Sequence, residues 1–122
     1  DGVKAMNSLF DSGVIPDGVV ALNDMLASGV MHAIQMHDYR IPEDISVIGF
    51  DNSDDSQYLS PALTSIDPGL EAVARLSVKV LKERIDGREP NGEHPGRKVF
   101  RKVSSSLVMR QSTKLPQESL VV

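Results

Sequence analysis

The chain has no cysteine and no tryptophan, and only two tyrosines and three phenylalanines among its 122 residues. Without cysteine there is neither a disulfide framework nor a thiolate metal site. No apolar run exceeds four or five residues, far short of the roughly 18 needed to span a bilayer, which excludes a membrane-spanning segment. A charged, apolar and small-residue leader pattern is also missing. Basic excess is lacking too: 13 Lys+Arg stand against 17 Asp+Glu, for a net charge of -4. Overall charge therefore gives no grip on nucleic acid. No phosphate-cradling glycine loop, nucleophile elbow or paired-histidine zinc motif occurs. With 40% hydrophobic and 25% charged residues, the composition is that of an ordinary globular domain.

What is present alternates short apolar runs with helical periods. Val3, Met6 and Phe10 fall at helical spacing, and Gly13 provides a stop. Opening on Asp1-Gly2-Val3, the chain reads as entering in mid-helix, as a fragment of something longer would. Ile15-Pro16-Asp17-Gly18 is turn chemistry, and Val19-Val20-Ala21-Leu22 reads as a strand covered on both faces. Asn23-Asp24 then opens a helix to about Tyr39, with Asp24 as the expected cap. Ile45 to Phe50 is a second apolar, β-branched run, so the three pieces make a βαβ unit. Residues 51 to 61 form a polar loop, and Leu63-Thr64-Ser65-Ile66 is extended. After Pro68-Gly69, the positions Leu70, Val73, Ala74, Ser77, Val78, Leu81 and Ile85 make an amphipathic stripe ending before Gly87. Lys98 to Val103 and Leu107 to Met109 read as strands.

Ligands of open α/β sheets bind beyond the carboxyl ends of parallel strands. Asn23-Asp24 ends the first strand and Asp51-Asn52 the second, so Asn23 and Asp51 are expected on one rim. An amide and a carboxylate there would suit a hydroxyl-rich ligand or a heterocyclic base, though the same residues also cap helices and make turns. His32 and His37 are five apart and share no helix face, which leaves no metal site. Asp54-Asp55 lacks the glycine and glutamate of a calcium loop. Arg97, Lys98, Arg101, Lys102 and Arg110 read as one solvated basic face, and the serines as solvent-type positions.

Three segments carry more than their physics: Asn23 to Gly29 (NDMLASG), Ile41 to Asn52 (IPEDISVIGFDN) and Tyr58 to Ser65 (YLSPALTS). With the closing Leu107 to Thr113 (LVMRQST), they resemble, in order and spacing from about residue 2 to residue 113, the LacI/GalR family of bacterial transcription regulators. The resemblance implies an α/β fold of the periplasmic binding protein-like I type, a parallel sheet flanked by helices, here mainly its C-terminal lobe. Residues 1–64 would belong to that lobe, 65–98 to a crossover and a helix of the N-terminal lobe, 99–113 to return strands, and 114–122 to a tail.

By the same resemblance, Asn23 and Asp51 would bind a small-molecule effector, a sugar or related metabolite, while Ser28 and Tyr58 would lie on a homodimer surface. Operator DNA would be met only through an N-terminal head not contained in this sequence. No cofactor, metal, membrane contact or enzymatic activity is implied, and the location would be cytoplasmic. Cut off from its partner lobe, the 70–85 stripe would drive the chain to pair with another copy. The alternative is a sugar-binding solute receptor of an ABC transporter, which shares the fold.

Overall fold

A computed structural model describes residues 1–86 and 100–114. The chain divides into two compact units, Asp1–Asp67 with the chain from Leu107 onward, and Pro68–Ser106. In order, the elements are α1 (Gly2–Asp11), β1 (Gly18–Val20), α2 (Asp24–Met36), β2 (Ser46–Phe50), a 3-10 helix η1 (Asp54–Tyr58), β3 (Thr64–Asp67), α3 (Leu70–Ile85) and β4 (Ser106–Val108).

Asp1 is the N-cap of α1, its carboxylate accepting from the Lys4 amide at 3.1 Å. The sheet runs β1-β2-β3-β4, with β2 parallel to both β1 and β3. Such pairing needs a crossover, which α2 supplies between β1 and β2. The core lies between these strands and α2: Ile34, Ile45, Val47 and Leu63 are wholly buried. Each such side chain contributes about 1.5–3 kcal/mol by leaving water. Helices α1 and α2 cross closely at two glycines. A Cβ on Gly29 would come within 3.2 Å of the Gly2 α-carbon.

Two strand expectations are corrected. Residues 19–22 are not covered on both faces: β1 is the edge strand, Val20 is 73% and Leu22 86% exposed, and only Ala21 between them is buried. An unbroken apolar run does not distinguish a central strand from an edge strand whose outer face is left open. Residues 100–103 form no strand, and Phe100 is exposed. Alternation alone makes no ladder without a neighbour to pair with. The rest of that expected strand, residues 98–99, lies outside the described residues. The polar 51–61 loop contains η1, and α2 ends at Met36, with His37 as C-cap and Asp38 left-handed at φ 62.

The second unit is built on α3, which has no buried residue. Its stripe is open: Leu70, Val78, Leu81 and Ile85 are each more than half exposed. Two stripe positions, Val73 and Ser77, join Leu76 and Val80 in lining a cavity of about 370 Å³ with Pro68, Arg101 and Val103.

Candidate functional site

Beyond the carboxyl ends of β1 and β2 lies a cavity of about 470 Å³, lined by Asn23, Asp24, Met25, Ser28, Asp51, Ser53, Asp55, Ser56 and Leu59. Asn23 and Asp51 share its wall. Ser28 stands there too, its hydroxyl donating to the Met25 carbonyl at 2.9 Å, whereas Tyr58 is outside the lining and 79% exposed.

The neighbouring residues Asn23 and Asp24 do opposite jobs from those their order suggests. Asn23, not Asp24, is the N-cap of α2: its Oδ1 accepts from the Leu26 amide at 2.8 Å. An amide also has two N–H donors, and among the described residues the Asn23 Nδ2 donates to no acceptor, which leaves it available to a ligand. Asp24, read from sequence as the cap, is 4% exposed. Its Oδ2 accepts from the Ser53 amide at 2.7 Å and from the Ser53 hydroxyl at 3.1 Å. Its Oδ1 accepts from the Ser65 hydroxyl at 2.6 Å. The carboxylate thus ties the start of α2 to the β2–η1 loop and to β3.

Asp51 and Asn52 follow β2 with φ of 102° and 50°. Two consecutive non-glycine residues at positive φ are costly, on the order of 1–3 kcal/mol each, unless their surroundings hold them. Here they are held. The Asp51 amide donates to the Ile66 carbonyl at 2.9 Å and the Asn52 amide to the Ser65 hydroxyl at 3.0 Å. The Asn52 side chain donates to Asp67 Oδ2 at 3.1 Å and accepts from Arg110 Nη2 at 2.7 Å. Asp51 itself is exposed, and among the described residues its carboxylate accepts no hydrogen bond, leaving both oxygens free for a ligand.

Arg110 corrects the basic-face reading. It is half-buried, and its Nη1 donates to the Leu63 carbonyl at 2.7 Å and the Ser56 hydroxyl at 3.2 Å. Arg101 and Lys102 are exposed, and Arg97 and Lys98 lie outside the described residues. The serines are not uniformly solvent-type either. Ser56, Ser65 and Ser112 are buried, each with its hydroxyl in a hydrogen bond. Spacing could not single these out, because a serine serves equally well as a surface residue or as a buried donor. Ser65 and Ser112 donate to partners 41 and 65 residues away, Asp24 and the Val47 carbonyl, while Ser56 donates to the Ser53 carbonyl three residues back. His32 and His37 are both exposed, and His37 meets Asn7 Oδ1 at 3.1 Å. Among the described residues no group of three His, Asp or Glu is arranged to hold a metal.

A family profile for the periplasmic binding protein-like domain matches residues 1–113. The chain belongs to that family, in its LacI-type branch. A LacI-type transcription regulator from Bifidobacterium animalis subsp. lactis is 41% identical over 93% of this chain and 39% of its own, with a TM-score of 0.83. The lac repressor dimer bound to operator and an anti-inducer is 29% identical over 92% of this chain and 37% of its own, at 0.81. A complex of the regulator CelR with cellobiose is 30% identical over 91% and 32%, at 0.78. Among curated relatives, the transcriptional repressor PurR of Pasteurella multocida is 34% identical over 93% of this chain. The LacI-type chain spans 32% of that relative's length.

Proposed function

We propose that this chain is the effector-sensing and dimerising portion of a LacI-type transcriptional regulator, and that its effector is a neutral, hydroxyl-rich metabolite, a sugar. One observation carries the reading. Asn23 and Asp51 line the same cavity, and each presents unspent hydrogen-bonding capacity, an amide donor and a free carboxylate. A sugar hydroxyl both donates and accepts, so it satisfies the two together. The Asp55 carboxylate on the same wall adds acceptors and makes the site unfavourable for an anion. The cellobiose bound by a regulator of this fold supports the sugar class.

Effector would act by binding one arrangement of the protein better than another, which shifts the population and alters DNA recognition elsewhere in the full-length regulator. Exposed Leu22, Met25 and Tyr58 support a homodimer surface on the first unit. No helix among the described residues is long and apolar enough to cross a membrane, and we place the regulator in the cytoplasm. The PurR relatives are repressors, which favours the regulator over the solute-receptor alternative.

Titration calorimetry of the full-length protein with neutral mono- and disaccharides, cellobiose included, tests the site. A carboxylate hydrogen bond contributes about 1.5–3 kcal/mol, so Asp51→Ala should weaken the binding sugar by roughly ten- to a hundred-fold. Equal affinity in wild type and variant would refute the assignment.

A further inference from the structure

Three successive amides at the end of β2 are held by three different acceptors. The Asp51 amide goes to the Ile66 carbonyl, the Asn52 amide to the Ser65 hydroxyl and the Ser53 amide to the Asp24 carboxylate, at 2.9, 3.0 and 2.7 Å. The last two converge, because the Ser65 hydroxyl that accepts from Asn52 itself donates to Asp24 at 2.6 Å. Removing the Asp24 acceptor would therefore leave the Ser53 amide without its partner and the Ser65 hydroxyl free to rotate away from Asn52. Both losses fall on the turn that contains the two left-handed residues.

We infer that Asp24 is the positioning residue for Asp51: from its buried place at the start of α2, it fixes the turn that presents the Asp51 carboxylate to the cavity. Asp24 lines that cavity, but its oxygens are spent on Ser53 and Ser65, and burial leaves little of it within reach of a ligand. Its action is through the turn. Arg110 braces the same turn from the other side through the Asn52 side chain, at 2.7 Å. The inference deepens the effector reading and rests on it for its functional meaning. The turn itself can be tested with no ligand present.

The test is amide exchange and backbone ¹³C chemical shifts, read by NMR on the ligand-free protein carrying Asp24→Ala, which removes both acceptor oxygens. Exchange at Asn52 and Ser53 should rise at least ten-fold, while Val30 and Ile34 in α2 change less than two-fold. The shifts of Asp51 and Asn52 should move away from left-handed values. Left-handed shifts retained in the variant would overturn the inference. So would a rise in exchange shared evenly by α2 and the turn, which would make Asp24 only a general core anchor. Should Asp24→Ala not fold, Ser65→Ala removes the shared hydroxyl alone. It should raise exchange at Asn52 at least ten-fold, and protection at wild-type level there would equally overturn the inference. Because no sugar enters the measurement, its failure is distinct from a failure of the Asp51 assignment.

Discussion

The carboxylate of Asp24 lies against the α-carbon of Gly49, in the space that any side chain at that position of β2 would take. A β-carbon on Gly49 would stand 3.2 Å from Asp24 Cγ and 3.0 Å from Leu63 Cδ2, and closer still to the Asp24 oxygen. The glycine is therefore required by the buried acid above it, not by a turn.

Gly49→Ala should accordingly destabilise the protein by about 1–3 kcal/mol, the usual cost of overpacking a filled interior. It should also loosen the Asp51–Ser53 turn, since Asp24 is what must move. Urea unfolding measures the first effect and amide exchange the second. A variant as stable as wild type, with the turn still protected, would show that the contact is easily relieved.

Ser112 is the clasp that closes the chain onto the sheet. Fully buried, it donates its hydroxyl to the Val47 carbonyl at 2.6 Å and accepts from the Thr64 amide at 2.8 Å. Its own backbone carbonyl accepts from the Val47 amide at 2.8 Å. Ser112→Ala would strand the Thr64 donor and the Val47 acceptor away from water, which costs about 1–3 kcal/mol for each buried group left unpaired. A lower urea midpoint at unchanged slope is the expected outcome.

The Arg40 guanidinium forks onto Asp44 with contacts of 2.7 and 2.9 Å, and the Arg40 amide donates to the same carboxylate at 2.8 Å. These bonds hold the Asp44 carboxyl well below the usual carboxylate range. A depressed value in the folded state means that the stabilisation is complete above the unfolded value near pH 4, and is lost as pH falls through the lower folded value. Asp44→Asn should therefore narrow its stability gap to wild type as pH falls below about 4, and leave the gap constant between about pH 5 and 8. The pair is exposed, so raising the salt concentration should shrink the gap. Thermal midpoints across pH at two salt concentrations check both.

The βαβ order, the placement of α1, α2 and α3 and the rim shared by Asn23 and Asp51 were legible in the sequence. They follow from apolar periodicity, from Gly and Pro punctuation and from the rule that parallel strands aim their ends at one crevice. Such signals act over a few residues or along a repeating face, so the order of residues contains them. What Asn23 and Asp24 each do was not legible. Either can cap a helix, and the choice was made by Ser53 and Ser65, 29 and 41 residues downstream of Asp24, whose donors converge on its carboxylate.

The same reason separates Arg110 from its basic neighbours. Only folding brings it to Asn52, 58 residues away, whereas Arg101 and Lys102 remain in solvent. It also separates Val20 from Val47, two valines in apolar runs, one bare at the sheet's edge and one buried at its centre. Local pattern determined which segments became helix and strand. Burial and the pairing of polar groups depend on neighbours distant in the chain, so only the tertiary structure could decide them.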